Sequence, residues 1–361
     1  MVHNYPVYLR MFHWLGALAE KMIASKFNTS VTSTYISKDY EFEMDGVHVI
    51  RIPLFKPFPH GAVPRRSLSR QVEKIHKYCE SQGFIPDCIT SHNFYPHLEM
   101  VNNLKSQYYT KARTCVVVHK QNLKMLEYVK DYKEEVRKVD TWGYRSLPLK
   151  REFEGYINMD LPHFMCYSGI PAHFLNRNQN NNIKQPINRF VYVGSFIKRK
   201  HPEKLLYALK RTGMDDFSLC YVGDGIGRKT MENFVKENGW RDKVELKGII
   251  AREEVPDVLA KAQCFIMISE QETFGLVYLE AMSMGCITIA SRDEGMEGII
   301  IDGQNGFLCK AGDDEELADV INKIRKMSNE QLAEISENAR QTALRLTDSK
   351  VATDYIKAIY D

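Results

Sequence analysis

Between Ser269 and Gly285 the chain reads Ser-Glu-Gln-Glu-Thr-Phe-Gly-Leu-Val-Tyr-Leu-Glu-Ala-Met-Ser-Met-Gly, with strand-like apolar runs before it and after it. Gly275 permits close approach of the backbone to a ligand at the start of a helix. The first N–H groups of that helix lack internal partners, and with the positive end of its dipole they can hold a diphosphate. Phe274, Gly275 and Leu276 are therefore the candidate phosphate-binding step, and Gly285 closes the helix. Glu280, inside the helix, offers a carboxylate to two ribose hydroxyls. Glu272, in the preceding loop, is placed to reach a sugar beyond the phosphates. Two glutamates at this spacing arise by chance in a charged chain. The Phe-Gly step, the Ala-Met that follows Glu280 and the closing glycine make the segment specific.

Such a site needs strands that deliver loops to one edge of a sheet and helices that leave from it. The second half of the chain supplies them in alternation: strands at Phe190–Val193, Ser218–Val222, Lys243–Leu246, Cys264–Ile268 and Ile287–Ala290, and helices at Pro202–Arg211, Arg228–Asn238, Val255–Lys261 and Gly275–Met284. The first half has a similar rhythm. Met11, Trp14, Leu15, Leu18, Met22 and Ile23 predict an amphipathic helix over Leu9–Phe27. Strand-like runs follow at Ser30–Ile36 and Val47–Ile52, then a helix at Arg70–Glu80 and strands at Cys88–Thr90 and Thr114–Val118. The alternation predicts two parallel α/β domains. The polar stretch with Asn178, Asn180, Asn181, Asn182 and Pro186 marks the junction. The expected division is 1–174, a linker over 175–187, a second domain over 188–345, and an amphipathic C-terminal helix within 346–361. Because the first helix is reached by about residue 9, the first domain is expected to lack its opening strand.

From about Phe190 to Leu308 this pattern resembles the GT-B family of retaining glycosyltransferases that includes bacterial capsule, exopolysaccharide and lipopolysaccharide-core sugar transferases. Glu272 and Glu280 fit its Glu-x7-Glu motif, and Val193-Gly194 through Lys200 fit its valine-glycine element with a basic residue further on. Val222-Gly223-Asp224-Gly225, Val244–Gly248 and Asp302–Leu308 fit its later turns and strands. The resemblance implies two Rossmann-like doubly wound domains facing a cleft. The first would bind a saccharide or lipid-linked saccharide acceptor and the second a UDP- or GDP-sugar donor, with the C-terminal helix returning to the first. It also implies transfer of a hexose with retained configuration, in surface polysaccharide synthesis and without a cofactor. Lys200 would neutralise the leaving diphosphate. The family usually has an arginine directly after the glycine, where this chain has Ser195, and Arg199 is the nearby replacement for that charge. Gly194, Ser195 and Gly223 would line the donor, although Gly223-Asp224-Gly225 reads equally as a tight strand-to-helix connection. His119 stands where family members often carry a histidine near the transferred sugar. It also reads as an ordinary structural histidine, and His92 has a similar place. A nucleotide-sugar epimerase and a non-catalytic nucleotide-sugar-binding subunit are the other readings.

Composition bounds these readings. With 361 residues, 44% hydrophobic and 26% charged, the chain is long enough for two globular cores. Its 49 Lys+Arg against 46 Asp+Glu leave +3, which gives no sign of nucleic-acid binding. The first 175 residues are the basic part, with 23 basic side chains against 17 acidic. Lys56, Arg65, Arg66, Arg70, Lys74 and Lys77 are interleaved with Phe55, Phe58, Val63 and Leu68. That stretch reads either as a solvated loop or as a peripheral contact with an anionic membrane. The eight cysteines have no metal-ligand spacing, and the Asp-x-Asp pair of metal-dependent sugar transferases is missing, so metal-independent chemistry is expected. No signal-like start and no long apolar run is present, which predicts a cytoplasmic protein, with the inner face of the cell membrane as its peripheral site.

Overall fold

The computed structural model describes residues 2–6, 41–44, 46–54, 62–175 and 183–360. The predicted helix over Leu9–Phe27 and strand over Ser30–Ile36 lie outside the described residues, as do Phe55, Lys56, Phe58 and the asparagine cluster. The chain forms two compact units, Met1–Trp142 with Asp160–Pro162, and Gly143–Met159 with His163–Asp361.

The first unit opens on a strand, contrary to the expectation that it lacks one. β1 (Val2–Pro6) pairs parallel with β3 (Val47–Leu54), and β2 (Glu41–Met44) pairs antiparallel on the other side of β3. Val-His-Asn-Tyr-Pro shows neither an apolar run nor a clear alternation, so only its pairing with β3 identifies it as a strand. The helix Arg65–Ser81 buries Leu68, Val72 and Ile75, spaced four and three apart, on one face. β4 (Cys88–His92) and β5 (Arg113–Val118) pair parallel, with the helix His97–Gln107 between them in the chain. Cys115 to Val118 are all buried, as a strand covered on both faces requires. Val63 and Leu68, expected among the charges of the basic stretch, are also buried, so those apolar side chains serve the core. Arg65 lies 3.8 Å from Glu99, and Lys77 pairs with Glu73 at 2.6 Å.

The second unit is built on a six-stranded sheet. Its strands are β8 (Arg189–Val193), β9 (Ser218–Val222), β10 (Val244–Gly248), β11 (Cys264–Ile266), β12 (Ile287–Ser291) and β13 (Phe307–Cys309), all paired parallel, in the order β10-β9-β8-β11-β12-β13. The chain steps outward from β8 in one direction and then returns to continue in the other from β11. The reversal leaves a switch point beyond the carboxyl ends of β8 and β11, where open parallel sheets bind ligands. One large core, from Ile170 to Ala343, fills the space between the sheet and its helices. Asp314 ties two of these helices together. At the start of Asp314–Arg325, it accepts from Lys204 Nζ and Arg211 Nε of Pro202–Arg211, both at 2.6 Å.

The units divide after Trp142, earlier than the asparagine-rich stretch suggests. The helix Leu147–Ile157 packs with the second unit: a Cβ at Gly298 would stand 2.4 Å from Leu147 Cδ1, and Arg151 holds Glu297 through two hydrogen bonds of 2.5 and 2.8 Å. The C-terminal helix Asp348–Tyr360 sets Tyr355 against Phe164, with ring centroids 5.6 Å apart, and Asp348 N–H donates to Ile170 at 3.0 Å. These partners fall inside the expected first domain, yet they belong to the second unit. All eight cysteines are free thiols, and Cys115, Cys166, Cys264, Cys286 and Cys309 are buried. Among the described residues no helix is long and apolar enough to cross a membrane.

Candidate functional site

Three strand ends are locked together at the switch point. Gly194 N–H donates to Val222 (2.9 Å) and Gly223 N–H to Gly248 (2.8 Å), which stacks the ends of β8, β9 and β10. Gly223 has φ +137°, and a Cβ on it would stand 2.0 Å from the Gly194 carbonyl oxygen, so no other residue fits there. The next turn is held by Phe196 N–H to Asp224 (2.9 Å) and Gly227 N–H to Phe196 (2.9 Å). Ser195 is exposed at this bend and brings no charge to it.

The cations come from the single turn Lys198–Lys200 that follows β8 and precedes Pro202, the first residue of its helix. Lys200 Nζ lies 3.7 Å and Arg199 Nη1 3.8 Å from the same oxygen, Glu272 Oε2. Lys200 and Glu272 are only 17% and 13% exposed, so the attraction between these two is stronger than at an open surface, whereas the Arg199 side chain is 42% exposed. Arg199 Nη1 is buried and makes no hydrogen bond. Glu272 is itself held in place. Glu294 accepts from the N–H groups of Gln271 (2.8 Å) and Glu272 (2.7 Å), Ser269 Oγ stands 3.5 Å from Glu272 Oε2, and Glu270 N–H donates to Arg199 at 2.6 Å.

Gly275, at φ +87°, caps the helix Leu276–Ser283. No side chain caps this end and no acidic residue occupies its first turn, so its N–H groups and positive dipole end remain available to an anion. Tyr278 anchors the helix to the end of β11 through Met267 O (2.9 Å) and Ser269 Oγ (3.0 Å). Glu280 is buried on this helix. Burial pushes its carboxyl above the usual range, while Arg252 Nη2, 2.9 Å from Oε1, offsets part of that shift. One oxygen of Glu280 is thus already engaged in the free protein.

Gly194, Ser195 and Gly223 lie at the ends of neighbouring strands, and Arg199, Lys200 and Glu272 form one cluster. Phe274, Gly275, Leu276 and Glu280 follow Glu272 along the loop and helix. His119 belongs to the first unit, where its Nε2 lies 3.1 Å from Nδ1 of His92 at the end of β4. One ring must donate and the other accept across that distance. Among the described residues no three His, Cys, Asp or Glu side chains gather to hold a metal ion. Sequence reasoning missed Glu294, Arg252 and Arg145. Arg145 follows strand β6 (Thr141–Tyr144) and places its guanidinium 5.7 Å from the ring centroid of Phe274. No motif flags the first two. A basic residue at a strand end was the available sign of the third.

Residues 175–342 match the family model described as glycosyl transferases group 1. The chain is 30% identical over 174 residues to the N-acetyl-alpha-D-glucosaminyl L-malate synthase of Bacillus anthracis, covering 47% of this chain and 45% of that one. It is 30% identical over 183 residues to the lipopolysaccharide core biosynthesis glycosyltransferase LpsD of Rhizobium meliloti, covering 50% and 52%. Its matches span about half the length of these curated relatives. Among solved structures, sucrose-phosphate synthase from Thermosynechococcus elongatus superposes with a TM-score of 0.67 at 19% identity, over 95% of this chain and 91% of that one. Anabaena HepE in complex with UDP gives 0.67 at 17%, over 86% of each. These likenesses show the fold, which is the α/β, parallel-sheet GT-B fold expected from the sequence.

Proposed function

We propose that this chain, whose residues 175–342 match the glycosyl transferases group 1 family model, transfers a hexose from a UDP- or GDP-sugar to a saccharide or lipid-linked saccharide, with retained configuration, in bacterial surface polysaccharide synthesis. The observation that carries this reading is the pair of cations, Lys200 and Arg199, converging on Glu272 in the loop that leads to the uncapped helix end at Gly275. In the free protein Glu272 is their counter-ion. A bound diphosphate would take over that role, leaving the Glu272 carboxylate to accept from sugar hydroxyls. Glu280 would accept from the ribose.

As the glycosidic bond breaks, its electron pair passes to the departing phosphate oxygen, and Lys200, Arg199 and the N–H groups at Gly275 and Leu276 stabilise the charge that builds there. The acceptor hydroxyl attacks on the face the phosphate leaves, and a phosphate oxygen takes its proton. The balance needs no protein nucleophile and no metal ion. His119 is retained as the histidine of the acceptor-binding unit. The names of the relatives, which include a lipopolysaccharide core glycosyltransferase, support the substrate class.

Calorimetry with UDP and GDP, followed by turnover with their sugars in the presence of EDTA and NMR of the product anomer, tests the proposal. Binding followed by retained transfer is expected. Binding without turnover would favour a non-catalytic subunit, and turnover without acceptor an epimerase. Dependence on manganese would contradict the metal-independent route.

A further inference from the structure

Arg145 is a charge without a counter-charge. It is partly buried in the second unit, and no described carboxylate forms an ion pair with it. Its Nη2 donates to Ser168 Oγ, its side chain reaches the buried Cys166 thiol, and its Nε is buried with no hydrogen-bond partner. Its guanidinium carbon also lies over the face of Phe274, 5.7 Å from the ring centroid. A guanidinium stays charged at every working pH. Removing it from water is costly, and a hydroxyl, a thiol and an aromatic face return only part of that cost. Several partly buried cations of this unit have carboxylates: Lys200 has Glu272, Lys204 has Asp314 and Lys150 has Glu154. Arg145 has none, and neither has Lys243, whose ammonium rests over the Phe217 ring at 5.5 Å; of the two, Arg145 stands beside the residue that begins the Phe274-Gly275 step.

Phe274 is held firmly. A Cβ on Gly295 would stand 2.6 Å from its backbone, and Tyr167 lies on its ring with centroids 5.7 Å apart. A cation resting on a fixed ring is pre-organised, with little ordering left to do when a ligand arrives. From this we propose that Arg145 is a specificity-determining residue that reads a carboxylate or phosphate carried by the sugar being transferred or by the acceptor that receives it. The inference rests on the nucleotide-sugar reading of the site and narrows it to anionic substrates. Ser168 fixes one edge of the guanidinium, and the N–H groups that neither Ser168 nor Cys166 engages are what a carboxylate or a phosphate would meet.

The experiment compares wild type with Arg145→Gln and Arg145→Lys, with thermal melting used to confirm that each variant is folded. Calorimetry with UDP and GDP comes first, then neutral and anionic donor pairs, UDP-glucose against UDP-glucuronic acid and GDP-mannose against GDP-mannuronic acid. In parallel, KM is measured for neutral glycosides and for the same glycosides carrying a carboxylate or a phosphate. Wild type should prefer the anionic member of one series by about tenfold or more, the range of a charge-assisted hydrogen bond. Arg145→Gln should remove the preference while UDP or GDP binding persists, and Arg145→Lys should keep part of it. A preference in the donor series assigns the anion to the transferred sugar, and one in the KM series assigns it to the acceptor. If wild type discriminates in neither series, or if Arg145→Gln weakens UDP and GDP as much as every sugar nucleotide, the inference is wrong and the donor reading survives. If neither UDP nor GDP binds wild type, the donor reading fails and this inference falls with it.

Discussion

One buried carboxylate, Glu280, would report on the whole of the proposed donor site. Its ordinary pKa of 4.5 is raised by burial, and Arg252 lowers it again in part. In the proposed donor complex, ribose hydroxyls would donate to the ionised form. As pH falls through the raised pKa the carboxylate gains a proton and loses acceptor capacity, so nucleotide affinity should fall with it. Calorimetry across this range should show the decline in wild type and a flat profile in Glu280→Gln. At neutral pH, Glu280→Ala should bind UDP or GDP roughly tenfold to more than a hundredfold less tightly, the equivalent of about 1.5–3 kcal/mol. Equal affinity would remove Glu280 from the site. In the proposed mechanism Lys200 acts at a different step. Its ammonium meets a charge that grows only as the diphosphate leaves, so Lys200→Ala should lower kcat by about a hundredfold or more, with a smaller change in KM. A loss confined to KM would make it a ground-state anchor instead.

At the scale of elements, Asp314 is the clamp between the helices Pro202–Arg211 and Asp314–Arg325. Burial pushes its carboxyl up, but Lys204 and Arg211 outweigh that and hold it below the usual 3.8. A depressed carboxylate adds stability above the unfolded pKa and loses it as pH falls through the folded one. Asp314→Asn should therefore cost about 1.5–3 kcal/mol in urea unfolding at pH 7. The gap to wild type should narrow below pH 3.8. Equal stability at both pH values would show that the helices are held by their apolar faces alone. The helices and strands of this unit were legible because each buries a regular apolar stripe. Leu205, Leu206 and Leu209 mark one helix, and Ile287 to Ala290 one strand. The opening strand Val2–Pro6 was not legible, since its identity comes from a partner more than forty residues away. The compact units divide after Trp142, away from the asparagine-rich stretch, for a similar reason. Leu147 and Arg151 belong to the second unit through Gly298 and Glu297, and no local pattern signals contacts so distant in sequence. In the site, glycines and glutamates with backbone duties stood out. Glu294 did not, because its task is to accept from two N–H groups that only the folded loop presents.

For the molecule as a whole, the basic excess of the first 175 residues is concentrated in part on the helix Arg65–Ser81, whose apolar side chains are committed to the core. Contact with an anionic membrane would then be electrostatic and sensitive to salt. In sedimentation with phosphatidylserine vesicles the protein should pellet at low ionic strength, release as salt rises, and pellet less as the triple variant Arg65→Ser, Arg66→Ser, Arg70→Ser. Indifference to vesicles at low salt would leave this face merely solvated.

The eight free thiols carry a consequence of another kind. Burial pushes Cys286 and Cys309 up to about 12, and both, with Cys264, lie in the core of the second unit, whereas Cys115 lies in the first. Only a thiolate attacks an alkylating reagent, so these sulfurs are silent until the fold around them opens. The chain thereby carries its own clock for opening, one set of hands in each unit. Alkylation followed by peptide mass mapping should read the two rates from a single sample. If Cys115 and Cys286 are modified in step at every urea concentration, the units open as one; if their rates part, each has a stability of its own.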